Sequence, residues 1–424
     1  MSVQVWGARA KRALRFRKEH GTGALFRRAA MVALNPDAFK RIKVVESLEF
    51  TRHACFGQPV HHNEVDPKTV NWFIPRPGRG SGGHLNIFRF IRTLESLGFE
   101  CRIISSKANL PSMTAEEMQA DIAKWFFPLK AKVYIGAHSA PPAAISIATA
   151  WQTAYDVRNF QSTLCKCYFV QDFEPWFYAA GTEGALAEET YRFGFTGLTA
   201  GKWLAEKLSA DYGMATHAFG FSYDREFYRP LPRESANSRT VFFYARAFTP
   251  RRGFELGVAV LAEVVRRLPD VKVIMAGGRL TGYELPFNYV DVEVVDLDKL
   301  AQLYSRCDVA LVLSFSNLSL LPLELMACAV PVVSNRAPCT EWLLNDGNCR
   351  LERPSIEALA AGICDVLEHP AEAERLREGG LATAAGTDWS AEGARVAEVL
   401  HMLVSSKKDR ACHHASPEDD NAAI

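Results

Sequence analysis

No run of eighteen or so apolar residues occurs in the 424-residue chain, so no segment is expected to span a bilayer as a helix. The N-terminus carries no apolar signal core. The ten cysteines include no CxxC pair, and Cys307, Cys328 and Cys364 sit in apolar runs, while Cys165-Lys-Cys167 alternates along a strand-like stretch. Such a pattern reads as free thiols in a cytosolic protein. No repeat period stands out and no nucleic-acid module is recognisable, so solenoids and nucleic-acid partners are set aside. Net charge is only +1, so no overall excess of one sign marks the chain for an oppositely charged partner.

What is present is ordinary for a soluble globular protein: 48% hydrophobic and 23% charged residues. The length is enough for two domains. The charge is unevenly spread. Met1–Val45 holds eleven Lys/Arg against two Asp/Glu, a segment charge of +9 that the remainder offsets with −8. Trp6, Leu14, Phe16, Leu25 and Phe26 are interleaved with those cations. One reading is a solvated helical extension. The other is a surface that meets anionic lipid headgroups or an anionic acceptor, giving peripheral membrane association.

The rest of the chain is organised around Ser314–Asn335, SFSNLSLLPLELMACAVPVVSN. Val309–Leu313 reads as a buried parallel strand, Leu321–Cys328 as a helix and Pro331–Ser334 as the next strand. The polar loop between, Ser314–Ser319, leaves the carboxyl end of a strand, where open α/β sheets bind ligands. The helix start offers unpaired N–H groups to an anion. Glu324, one turn inside the helix among apolar neighbours, needs a partner. Either it serves the helix dipole or a salt bridge, or it accepts ligand hydroxyls.

The stretch PLELMACAVPVV resembles the signature of retaining glycosyltransferases with the GT-B fold, glycosyltransferase family four. The tract YFVQDFEPWFY is similar to that of the WsaF-type rhamnosyltransferase branch, and the resemblance covers roughly residues 70–404. It implies that the loop and helix hold a nucleotide sugar through Ser316, Asn317, Leu318 and Ser319, with Glu324 on the ribose. It also implies a second glutamate near the transferred sugar, where this chain has Ser316.

In the first half, Val70–Ile74 reads as a strand, followed by PRPGRGSGGH and a helix Leu85–Leu97. Gly78, Gly80 and Gly83 spell G-x-G-x-x-G, so a dinucleotide loop is weighed. Two prolines and two arginines make it too long for the tight turn, and the next strand, Glu100–Ser105, ends in serines instead of an acid. The alternative is a flexible glycine loop whose Gly82 and Gly83 open the helix toward phosphate or sugar oxygens. His138 follows a strand, Val133–Gly136, and is either structural or a site contact. Ala143–Trp151 reads as a helix started by Pro141 and Pro142. Lys166–Val170 is a strand from whose end Gln171-Asp172-Phe173-Glu174-Pro175-Trp176 departs. Carboxylates beside aromatics suit a sugar, so Asp172 is a candidate for catalysis and Glu174 and Trp176 are candidates for acceptor or sugar contact, against a plain turn role. Thr182–Phe195 reads as a helix, and Phe221–Arg233 as an interdomain linker.

Thr240–Tyr244 opens the second domain. In the family the element that follows neutralises the donor diphosphate: Arg246 and Gly253, before a helix Phe254–Leu268, match it and Arg252 stands where Lys is usual, and two guanidinium groups can clamp a diphosphate. Asp296-Leu-Asp298 matches a metal-binding D-x-D, but it precedes a helix, so Asp298 reads as its N-cap. No other metal-ligand cluster is seen. A last helix, Ala391–Leu403, is capped by Asp388 and is expected to cross back to the first domain; Ser405–Ile424 is expected to be disordered.

The expected fold class is α/β: GT-B, two doubly wound Rossmann-like domains across a cleft. The expected divisions are a basic extension 1–45, an acceptor domain 46–225, a donor domain 226–387, a crossing helix 388–404 and a tail 405–424. The expected function is retaining, metal-independent sugar transfer from a nucleotide-diphosphate sugar to a growing glycan or lipid-linked glycan. Deoxythymidine-diphosphate rhamnose is the narrower donor, and no cofactor is needed. The location is the cytoplasm, with the inner face of the membrane open to it. Two other classes stay open: a non-catalytic glycan-binding protein on a degenerate transferase fold, and a nicotinamide-dependent oxidoreductase.

Overall fold

The computed structural model describes residues 44–105, 113–232 and 239–414. The chain divides into two compact units, Met1–Arg52 and His53–Ile424. Of the first, the structure describes a helical turn Val44–Ser47 and a 3-10 turn Glu49–Thr51. Nearly all of the basic extension therefore lies outside the described residues.

The second unit holds two parallel sheets. The first is built from β1 (Thr69–Ile74), α1 (Gly82–Ser96), β2 (Glu100–Ser105), α2 (Ala115–Trp125), β3 (Lys132–Ile135), β4 (Ala143–Ala148), α3 (Trp151–Asn159), β5 (Thr163–Val170), α4 (Thr182–Glu189), β6 (Thr196–Ala200), α5 (Lys202–Tyr212) and β7 (Thr216–Phe219). The second is built from β8 (Thr240–Tyr244), α6 (Phe254–Arg267), β9 (Lys272–Ala276), β10 (Tyr289–Asp291), α7 (Leu297–Tyr304), β11 (Val309–Val312), α8 (Leu321–Ala327), β12 (Val332–Asn335), β13 (Arg350–Glu352), α9 (Ile356–Glu368) and α10 (Pro370–Ala385). Strand orders are β3-β2-β1-β4-β5-β6-β7 and β10-β9-β8-β11-β12-β13. In each sheet the order reverses once, between β1 and β4 and between β8 and β11. Crossovers leave to opposite faces there, so a crevice opens at the carboxyl ends of those strands. The glycine loop after β1 and the Ser314–Ser319 loop after β11 leave from these two crevices.

The inner strands are buried on both faces, as helices on each side of a parallel sheet require, while the edge strands are partly exposed. Every residue of β1, TVNWFI, is buried. Trp72, Phe90, Phe169 and Phe219 pack between sheet and helices, with the Phe169 and Phe219 rings stacked at 4.7 Å. Ser81 caps α1 by accepting from the His84 N–H. Thr114 and Glu117 close a capping box on α2.

A final helix, α11 (Trp389–His414), packs on the first sheet's elements. Its Trp389 ring meets Phe90 at 6.0 Å, and Glu392 accepts from the Gly220 N–H at 2.8 Å.

Three expectations are corrected. Ala143–Ala148 is a strand, not a helix, and α3 begins only at Trp151. Its alanines favour a helix in isolation, but all six residues are buried between β1 and β5, and small side chains let helices close on both faces. The helix expected over Thr182–Phe195 ends at Glu189 in a 3-10 turn. The last helix runs on to His414, so residues 405–414 of the expected disordered tail are helical, and residues 415–424 lie outside the described part.

Candidate active site

The second sheet presents its crevice through two loops. After β8 the chain makes consecutive turns: Thr249 N donates to Arg246 O at 2.9 Å, Arg252 N to Thr249 O at 2.8 Å and Gly253 N to Pro250 O at 2.9 Å. Gly253 has φ +60°, and a Cβ there would stand 2.8 Å from the Phe315 ring. Both the left-handed backbone and the close approach require glycine. This turn carries Arg252 under the second loop, where Nη1 donates to Ser314 Oγ at 2.5 Å and to Asn317 O at 2.8 Å. Arg246 Nη1 donates to Tyr244 Oη at 3.2 Å and Gly277 O at 3.4 Å, and the residue is half-buried.

Asn335, at the end of β12, fixes the root of the second loop. Its Oδ1 accepts from Ser314 N and its Nδ2 donates to Ser314 O, both at 2.8 Å. The loop residues then diverge in role. Ser316 and Asn317 are fully buried, Leu318 is 2% exposed, and Ser319 is half-buried. Ser319 lines a small cavity with Tyr244, Arg252, Leu311, Leu313 and Leu321. Ser316 Oγ faces Asp172 across the cleft without a partner in hydrogen-bonding geometry. Asn317 Nδ2 donates to Gln171 O and Ala200 O, each at 2.9 Å, so this side chain is spent on the first domain and not on open space for a ligand. Leu318 is core. The anion site expected at the start of α8 is weaker than the sequence suggests, because the helix has seven residues and Pro322 in its first turn lacks an N–H.

Glu324 is half-buried in α8. Burial pushes its carboxyl up to about 7, against the pull of Arg89 and of Tyr228, while Asp224 pushes the same way as burial. The Tyr228 hydroxyl faces it without reaching hydrogen-bonding geometry. Arg89, from α1, is almost wholly buried and pairs with Asp224.

From the first domain, Gly82 and Gly83 open α1 and are exposed, with free space above Gly82. Gln171 ties this helix start to β5: Nε2 donates to Gly83 O and Oε1 accepts from Asn86 Nδ2, both at 3.1 Å. Asp172 is 8% exposed and reaches across to both arginines, with Oδ2 3.3 Å from Arg251 Nε and 3.7 Å from Arg252 Nη2. Burial raises its carboxyl while Arg252 and Arg251 hold it down. The same burial lowers Arg252. Arg251 also lies 3.8 Å over the Phe177 ring. Two guanidinium groups, Arg251 and Arg252, thus face the single carboxylate of Asp172, and Arg246 adds a third positive charge near Arg252, an excess suited to a diphosphate.

Several candidates are not brought here. Glu174 is 6% exposed and spends both oxygens inside the fold: Oε2 accepts from Trp151 N, the first residue of α3, at 2.9 Å, and Oε1 from Tyr168 Oη at 2.7 Å. It caps a helix from a distance and offers nothing to a sugar. Trp176 is 48% exposed and packs beside Trp203 at 6.0 Å. His138 is exposed and packs on Phe56 at 4.4 Å. It follows β3, the edge strand, and β3 lies four strand spacings from β5, or about 19 Å. Asp296, not Asp298, is the N-cap of α7, without a side-chain capping bond. Its carboxylate instead takes Arg79 of the glycine loop at 2.9 Å, spanning the cleft. Among the described residues no three His, Cys, Asp or Glu side chains converge as a metal site.

Sequence reasoning missed Arg251, Gln171, Asn335 and Arg89. Arg251 was visible beside Arg252; the others are single polar residues in or at the ends of apolar elements, and only the partners they meet give them a role.

Residues 239–364 match the family described as WsaF, C-terminal domain. The chain is 32% identical over 367 residues to the O-antigen biosynthesis protein RfbC of Myxococcus xanthus, a match covering 84% of this chain and 28% of that protein. It is 26% identical over 229 residues to a phosphatidyl-myo-inositol mannosyltransferase of Mycobacterium tuberculosis, covering 48% of this chain and 58% of that one. The chain therefore spans about a quarter of the length of the first relative and little over half of the second. Among solved structures, HepE from Anabaena in complex with UDP and glucose superposes with a TM-score of 0.63 at 16% identity, covering 78% of this chain and 99% of that one. WaaG, a glycosyltransferase involved in lipopolysaccharide biosynthesis, gives 0.57 at 13% identity, with 78% and 99% covered. The fold is GT-B, and the resemblance read from PLELMACAVPVV to glycosyltransferases of that fold is borne out.

Proposed function

We propose that the chain transfers a sugar from a nucleotide-diphosphate sugar to a glycan or lipid-linked glycan acceptor. The observation that carries this reading is the placement of Arg252. It lies at the carboxyl end of β11, bonded to the 314–319 loop and lining the small cavity there, with Arg246 and Arg251 on the same turn. In a transfer, the bond from the anomeric carbon to the diphosphate oxygen breaks and negative charge grows on the leaving group. Arg246 and Arg252 stabilise that charge without a metal, because they are oriented before the reaction. The leaving oxygen takes the acceptor proton on the same face, so the configuration is retained and no covalent nucleophile is needed. Asp172 holds the arginines in register, and Glu324 accepts the ribose hydroxyls. Rhamnose carried on deoxythymidine diphosphate is the narrower donor, supported by the WsaF match over the second domain.

A thermal-shift screen across UDP, GDP and dTDP and their sugars tests the reading, since a ligand that binds only the folded state stabilises it by mass action. Absence of any nucleotide response at millimolar concentration would remove it. The burial of Ser316 against Asp172 favours one rival, a glycan-binding protein without turnover. Binding of glycan with neither transfer nor hydrolysis of any nucleotide sugar would select that rival. Membrane association through the basic Met1–Val45 belongs to the same proposal: deleting it should weaken binding to anionic vesicles at low salt and leave donor binding intact.

A further inference from the structure

Residue 317 joins three parts of the molecule. Its backbone carbonyl accepts from Arg252 Nη1 at 2.8 Å. Its side-chain Nδ2 donates to Gln171 O and Ala200 O, at the carboxyl ends of β5 and β6 in the other domain. Its Oδ1 accepts from Trp342 Nε1 at 2.8 Å and from Leu318 N at 3.0 Å. The amide is wholly buried and each of its polar atoms takes two bonds, so it has no capacity left for a ligand. Trp342 needs room as well. Its ring lies over Gly201, whose φ is +83° and where a Cβ would stand 2.6 Å from the indole. The first domain thus keeps a glycine where the second domain's tryptophan docks.

We propose that Asn317 is a positioning residue, an interdomain bolt that sets the diphosphate-binding Arg252 in register with the acceptor domain and touches no substrate. This rests on the proposed sugar transfer. The donor's anomeric carbon is placed by one domain and the acceptor hydroxyl by the other, and their approach must hold to a fraction of an ångström for the reaction to run. A bond network that fixes Arg252 through the carbonyl of residue 317 and the first domain through its side chain supplies that register directly. Losing the bolt leaves each half-site intact but lets the halves drift apart.

The expected signature is a split. Asn317→Ala should lower turnover by about tenfold or more while nucleotide-diphosphate affinity changes less than about threefold. Trp342→Phe keeps an aromatic side chain beside Gly201 but removes the N–H to Asn317 together with part of the indole, so it should show the same split to a smaller degree. Small-angle scattering on the same proteins should show both variants less compact than the wild type. Equal losses of affinity and turnover in both variants would make residue 317 part of the donor site and overturn the proposal. So would wild-type compactness with wild-type turnover in Trp342→Phe together with Asn317→Ala. If wild type binds no nucleotide, the transfer reading fails while the scattering arm still decides whether the bolt exists.

Discussion

Glu174 and Glu324 form a matched pair. Each follows the carboxyl end of a central strand, β5 in one sheet and β11 in the other. Burial pushes both carboxyls up to about 7. Yet Glu174 accepts from Trp151 N and Tyr168 Oη, with Tyr191 Oη taking its backbone N–H, whereas Glu324 faces Tyr228, Arg89 and Asp224 without a bond of that quality. A raised carboxyl therefore does not by itself mark a functional group. What separates the two is whether the fold has already filled the oxygens. Glu174 holds α3 to the end of β5; Glu324 keeps capacity for a ligand.

The largest effect should come from neither glutamate but from the charge beside them. Arg252→Ala should depress turnover by about a hundredfold to a thousandfold, because its guanidinium acts on charge that grows as the bond breaks. Donor affinity should fall much less, and a kcat-against-KM comparison reads the difference. Next is Glu324→Gln, which keeps the shape and removes the charge. Charge-assisted bonds to ribose hydroxyls are worth about 1.5–3 kcal/mol each, so nucleotide-sugar affinity should drop roughly tenfold to a hundredfold with melting little changed. A variant that binds normally but melts early would make Glu324 a structural carboxylate like Glu174 and erase the contrast.

The pH dependence sharpens the pair. Each folded-state value, about 7, lies above the ordinary glutamate value of 4.5, so the folded protein holds these protons more tightly than the unfolded chain. The stability they contribute is complete below pH 4.5 and is lost as pH rises through about 7. For Glu174 that loss is on the order of 3 kcal/mol. Glu174→Gln should flatten this part of the stability profile, measured by denaturant unfolding at pH 4.5 to 8, and leave donor affinity alone. Donor affinity should rise with pH through about 7 as Glu324 ionises, and Glu324→Gln should abolish that rise. The smallest effect belongs to the exposed Arg79–Asp296 pair. Arg79→Ala should shift the melting temperature by less than about 2 °C, since exposed ion pairs contribute little. Chelator in excess should leave activity unchanged; restoration by magnesium after chelation would return Asp296 to the metal role.

Much of the architecture is written along the chain. Val309–Leu313, Val70–Ile74 and Thr240–Tyr244 are apolar runs bounded by glycine or polar loops, and the structure has strands there within a residue or so. The Arg246–Gly253 turn and the 314–324 stretch were legible because charge and glycine at fixed spacing have local causes. Thr216–Phe219, Tyr289–Asp291 and Arg350–Glu352 are edge strands of three or four residues, too short to show a period in the sequence. At Ala143–Ala148, burial by both flanking layers overrides the helical leaning of alanine.

Sequence by itself determined the alternation of strand and helix, the loops at the strand ends and the cations on one of them, since each depends on neighbours a few residues away. Only the tertiary structure decided which polar groups are free. Asn317 looked like a ligand residue and is consumed by carbonyls 117 and 146 positions distant. Glu174 looked like a sugar contact and caps a helix that begins 23 residues before it. Hydrogen-bond capacity is set by whatever partner arrives first in space, and across two facing domains that partner is remote in the chain.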